Sequence, residues 1–112
     1  MATGIIKNLQ PTSTQVLTTT KDSVTLNGKF YKVGNLVQVY IYSSGNVNYG
    51  NGWQTLFTGL NSEFQPTGTR KGLLNGNVLI QVDAVDSSNA GRVRINMANV
   101  TTWPDCGFCY VI

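Results

Sequence analysis

Two runs of the chain alternate apolar and polar residues so strictly that a half-buried β-strand is the regular structure that fits them. From Asn77 to Asp83, Val78, Ile80 and Val82 form one row while Asn77, Leu79, Gln81 and Asp83 form the other, since successive strand side chains point to opposite faces. From Arg92 to Met97, Val93, Ile95 and Met97 make the apolar row and Arg92, Arg94 and Asn96 the polar one. Between them, Asp86-Ser87-Ser88-Asn89-Ala90-Gly91 is a cluster of turn formers, so the pair predicts an antiparallel hairpin with a polar tip and a sheet with one dry and one wet face. Leu36 to Tyr42 repeats the pattern: Val37, Val39 and Ile41 share one side, and Leu36, Gln38, Tyr40 and Tyr42 the other. That second row is aromatic. Tyrosines so placed either pack across strands or present a flat amphipathic face to a sugar or a partner.

The remaining elements follow from turn chemistry. Residues 1–20 are rich in Thr, Ser and Gln and predict an extended arm, with a weak strand over Thr14 to Thr19, leaving residues 21–112 as the folded domain. Ile5, Ile6 and Leu9 are the apolar residues of that arm and call for burial against the domain or a neighbour. Ser23 to Leu26 and Lys29 to Val33 predict strands joined by an Asn27-Gly28 hairpin turn, and Gly34-Asn35 leads into the strand from Leu36. Ser43 to Gly52 reads as a loop carrying Val47 and Tyr49, Gln54 to Leu60 as a strand, Asn61 to Pro66 as a turn, and Gly68-Thr69-Arg70-Lys71-Gly72 as a basic tip. Asn99 to Asp105 is irregular, and a last strand over Gly107 to Ile112 places Phe108, Tyr110 and Ile112 on one face. About eight strands at this spacing predict an all-β domain, an antiparallel sandwich or a barrel.

Composition narrows the function. With 112 residues the chain has the size of one domain with a core of its own. Only 12% of residues are charged and the net charge is +3, with the Lys and Arg dispersed along the chain. Nucleic-acid binding requires a denser basic stripe than this. No run approaches the roughly 20 apolar residues of a membrane span, and no signal-peptide pattern opens the chain, so synthesis in a cytoplasm is expected. Asn99-Val100-Thr101 matches a glycosylation acceptor, expected to be unmodified in that setting.

The absence of His removes Ser-His-Asp and Cys-His nucleophiles and imidazole metal sites. Asp22, Glu63, Asp83, Asp86 and Asp105 are scattered over separate turns and strands, where a glycosidase needs two carboxylates facing each other across a cleft. No catalytic residue, metal or cofactor is expected. Cys106-Gly107-Phe108-Cys109 has the spacing of a redox or half-zinc motif, but it lies on a strand and lacks a second ligand pair; free thiols, at least one of them buried, are the expectation. The Gly-rich stretches Gly50-Asn51-Gly52 and Asn75-Gly76-Asn77 match no nucleotide motif and read as turns.

Taken in order, the Lys32 to Val37 strand start, the Leu-Phe-Thr-Gly-Leu…Phe-Gln-Pro turn (Leu56 to Pro66), the Gly-Asn-Val-Leu-Ile-Gln-Val strand, the Gly-Arg-Val-Arg-Ile strand and the closing aromatic strand resemble the C-terminal head domain of bacteriophage receptor-binding and baseplate proteins. The resemblance spans roughly residues 27–112 and rests on short strand motifs. It implies a jelly-roll-like β-sandwich that assembles as a homotrimer at a tail-fibre or baseplate tip and binds host cell-surface saccharide. The location implied is the virion, after synthesis in the host cytoplasm.

On that reading Tyr49, Trp53 and Trp103 would stack on sugar rings, and Asn51, Gln54 and Asp105 would hydrogen-bond hydroxyls. Arg70 and Lys71 would meet phosphate on a phosphorylated saccharide, or else remain solvated charges. The alternative is a structural virion protein that docks to another tail or baseplate component through the same sandwich, with Ile5, Ile6 and Leu9 as its clamp. Neither reading involves nucleic acid or membrane insertion.

Overall fold

The computed structural model describes residues 13–75, 78–96 and 106–112. Eight strands form two four-stranded antiparallel sheets: β1 (Ser13–Lys21), β2 (Val24–Val33), β3 (Leu36–Ser43), β4 (Trp53–Phe57), β5 (Arg70–Asn75), β6 (Val78–Val82), β7 (Val93–Asn96) and β8 (Cys106–Val111). Sheet A has the order β1-β2-β3-β8 and sheet B the order β4-β7-β6-β5. The all-β sandwich expected from the alternating runs is therefore the fold. Sheet B is a Greek key, because β5, β6 and β7 follow one another and β4 lies beside β7. Sheet A is a meander of three strands extended by β8.

The alternating rows face as their patterns predict. Val37, Val39 and Ile41 on β3, Val78, Ile80 and Val82 on β6, and Val93 and Ile95 on β7 are all buried between the sheets. Phe30 and Leu26 of β2 and Tyr110 of β8 complete the wall from sheet A. Burying such side chains contributes about 1.5–3 kcal/mol each, which is what drives the two faces together. A 3-10 turn, Ser62–Phe64, inserts Phe64 edge-on to Phe30, with ring centroids 6.3 Å apart at 61°. The Tyr110 hydroxyl donates to the Phe64 carbonyl and fixes that turn to the last strand.

Both open edges of the sandwich are stitched by polar side chains. At one, Gln15 of β1 donates through Nε2 to the Gly59 carbonyl (3.0 Å) and accepts at Oε1 from the Asn61 amide (2.8 Å). At the other, Arg70 of β5 donates from Nε to the Val111 carbonyl of β8 (2.9 Å).

Three local expectations are corrected. Asn27-Gly28 is no hairpin turn: β2 runs straight through it, paired with β1 on one side and β3 on the other. The turn is instead Asp22-Ser23, both at positive φ (52° and 65°), as a two-residue mirror-image turn requires. Gly28 has another task, since a Cβ there would lie 2.7 Å from Cε2 of Phe57 in the facing sheet. Likewise Arg70, Lys71 and Gly72 belong to β5 and not to a basic tip. The expected count of eight strands thus arises differently: two of the predicted strands are one, and β5 is additional. Residues 13–20 of the stretch expected to be an arm form most of β1, while Ile5, Ile6 and Leu9 lie outside the described residues, as do Met97 and the Asn99-Val100-Thr101 acceptor.

Candidate functional site

The outward face of sheet A carries a tyrosine cluster built by register. Tyr40 and Tyr42 are two residues apart on β3 and therefore share a face; their ring centroids are 6.0 Å apart at 36°. The β2–β3 pairing sets Lys29 opposite Tyr40 and Tyr31 opposite Gln38. Lys29 Nζ lies 5.6 Å from the centroid of the Tyr42 ring, a contact worth about 0.5–1 kcal/mol at an exposed site. Lys29, Tyr31, Tyr40, Tyr42 and Ser43 line an open depression of about 490 Å³. Gly107 of β8 sits opposite Tyr40 and offers no side chain to cover it.

Apolar side chains share this face with the polar Thr18, Asn27 and Gln38. Val16 of β1, Leu36 of β3 and Val111 of β8 face the same way and, with Tyr40, are 42% to 57% exposed. Single exposed apolar residues are ordinary, but Val16, Leu36 and Val111 on the same face as three tyrosines form a surface suited to a flat ligand or partner. Cys109, opposite Gln38, is a free and exposed thiol on this face, where the sequence led to the expectation of at least one buried thiol; the Cys106 side chain lies outside the described residues.

The residues singled out from the sequence do not converge on one place. Tyr49 is buried in the core, with Lys21 Nζ 4.7 Å from its ring centroid. Burial raises its pKa, and the nearby Asp22 carboxylate raises it further. Asn51 is exposed, and its carbonyl accepts from Gln54 Nε2 (3.2 Å). Trp53 and Gln54 are consecutive on β4 and so point to opposite faces; Gln54 pairs with Ile95 of the inner row, while Trp53 is outside. Arg70 lies on β5, the opposite edge of sheet B from β4, and its guanidinium is bound to the Val111 and Gly68 carbonyls. Trp103 and Asp105 lie outside the described residues. Lys29, Tyr31 and Ser43 were not legible as site residues. Tyr40 and Tyr42 were visible as an outward row, but what joins them from β2 depends on a register that no single strand encodes.

The outward face of sheet B has a different character. The register sets Thr55, Arg94, Gln81 and Lys71 in one row across all four strands. Trp53 leans over this row: its ring centroid is 5.5 Å from Arg94 Cζ and 5.8 Å from Lys71 Nζ. Beneath them Gln81 is buried although it faces outward. It donates to Asp83 Oδ1 (2.9 Å), whose other oxygen takes Arg92 Nε at 2.6 Å. A buried carboxylate held by two donors is a satisfied structural group.

Among the described residues no group of three His, Cys, Asp or Glu is placed to hold a metal ion, and no helix is long and apolar enough to cross a membrane. Comparison with protein-family models, curated proteins and solved structures finds no match to this chain.

Proposed function

We propose that the chain is a non-enzymatic saccharide-binding head of a phage tail-fibre or baseplate protein, and that it holds its sugar on the outward face of sheet A. The observation that most supports this reading is the depression lined by Tyr31, Tyr40, Tyr42, Lys29 and Ser43. A pyranose has an apolar C–H face and a rim of hydroxyls. The tyrosine rings match the first, and their hydroxyls and the Lys29 ammonium match the second. A depression open to the side suits a residue within a long polymer better than a small free metabolite. The virion setting, the cell-surface nature of the saccharide and assembly as a homotrimer come from the strand-motif resemblance.

Binding to purified host cell-wall saccharide, measured by calorimetry on a sample whose mass is determined by light scattering, tests the proposal. The expected result is a trimer that binds, with Tyr40→Ala weakening binding by about tenfold or more at unchanged circular dichroism. A trimeric wild-type sample that binds no glycan overturns it.

A second reading is favoured by Val16, Leu36 and Val111, which surround the tyrosines with exposed apolar surface. Tyrosine is enriched at protein interfaces, and the same face would then dock onto another tail component. Capture of a purified baseplate or fibre protein, abolished by Leu36→Asp and accompanied by no glycan binding, is the outcome this version requires.

A further inference from the structure

We infer that the outward face of sheet B is a second binding surface, specific for an acidic polysaccharide, with Trp53 as its platform and Lys71 and Arg94 as its anion contacts. It shares no residue with the tyrosine face and lies on the other sheet, so it stands independently of the function proposed above.

Charge on this face is out of balance. Lys71, Arg92 and Arg94 supply three cations, and Asp83 supplies the carboxylate that Arg92 and Gln81 already occupy; three against one leaves two positive charges uncompensated. Arg92–Asp83 is the ion pair of this face. Arg94 Nε is enclosed and has no hydrogen-bond acceptor among the described residues. Such a group is costly to bury, and here the guanidinium is held against an aromatic ring instead of a carboxylate. Both cations thus stand beside the Trp53 ring, and neither is paired with a carboxylate of the described residues.

The surface beside them is apolar. Leu73 and Leu79, paired across β5 and β6, are 57% and 39% exposed and stand in the row next to that of Lys71 and Gln81. Trp53 belongs to the same row as Leu79, through Asn96. A ligand that meets this face therefore needs anionic groups for Lys71 and Arg94 and a flat C–H surface for Trp53 and Leu79. An acidic sugar polymer provides both, with one carboxylate per ring and an apolar ring face. A simple polyanion provides only the first.

The test uses an oligogalacturonate of about ten residues, with poly-glutamate of equal charge and neutral dextran as comparisons, followed by tryptophan fluorescence and calorimetry. Expected are binding of the oligogalacturonate that weakens as salt rises, a change in emission that Trp53→Phe removes, and weakening of about fivefold to tenfold in Lys71→Gln and in Arg94→Gln. Lys71 is exposed, so its substitution leaves the fold intact even should Arg94→Gln disturb it. Lys21→Gln removes the same charge from the end of β1, on the other sheet, and is expected to bind as the wild type does. The inference is overturned if oligogalacturonate does not bind, if poly-glutamate binds as tightly, or if Lys21→Gln weakens binding as much as Lys71→Gln.

Discussion

The ring of Phe108 on β8 occupies the space that a side chain at Gly72 on β5 would need: a Cβ built there would collide with Cε1 at the edge of the ring. These two residues close one edge of the sandwich, with Arg70 binding the Val111 carbonyl beside them. The absence of a side chain at Gly72 is what lets the edge of the Phe108 ring approach the β5 backbone.

Gly72→Ala should therefore destabilise the fold by about 1–3 kcal/mol, the usual effect of overpacking a filled core. Gly45→Ala is the matched comparison, because its Cβ would meet only Val24 Cγ2 at an ordinary 3.8 Å, and it should stay within about 0.5 kcal/mol of the wild type. Urea denaturation of both variants checks the difference. Equal midpoints would show that Phe108 can move aside without cost.

Tyr110 links β8 to the Phe64 carbonyl and is buried. Tyr110→Phe keeps the ring and leaves that carbonyl without its donor, at an expected cost of about 1–3 kcal/mol. Burial also raises the Tyr110 pKa above its ordinary 10.0. The folded state thus favours the neutral phenol more than the unfolded state does, so the stability it contributes is complete below about pH 10 and declines as pH rises beyond that toward the folded value. Denaturation midpoints measured from pH 8 to 11 should fall at the alkaline end, and less steeply in Tyr110→Phe.

Asp22 and Ser23 both adopt the left-handed region, where a side chain is disfavoured. Ser23→Gly should raise stability by about 0.5–1 kcal/mol, because the relief of strain at the turn exceeds the added freedom of the unfolded chain. Thermal unfolding of this variant checks the sign; a lowered midpoint would mean that the Ser23 side chain contributes more than its strain costs.

The turn also explains how far the fold could be read in advance. Val78, Ile80 and Val82, like Val37, Val39 and Ile41, declare their strands because an apolar row alternates with a polar one, a contrast each strand carries in itself even where, as at Gln81, the polar residue is buried by its neighbours. Asn27-Gly28 misleads because a local turn signal competes with a tertiary demand, the place that Phe57 takes above Gly28, which is invisible until the sheets meet. Residues 13–20 read as an arm because an edge strand is only half buried on its better face, and Thr and Gln suffice there. For the sites, the aromatic row of β3 was visible, but Lys29 and Tyr31 beside it, and Lys71 beside Trp53, are brought close by strand order. Residues 49–54, adjacent in sequence, are divided between the core, a loop and two faces by the alternation that makes β4 a strand.

Gln15 stands in β1 as a peptide group would stand in a ninth strand, presenting one donor and one acceptor to the 59–61 segment of the loop that follows β4. With the Ser13 hydroxyl donating to Glu63 Oε2 at 3.1 Å, it places three crosslinks near the start of the strand. A pull on the chain ahead of Ser13 therefore meets the β1–β2 ladder and the 59–63 segment together, since Ser13 and Gln15 belong to both. Detaching the first pairs of the edge strand thus also breaks its ties to the opposing loop, like opening a riveted seam.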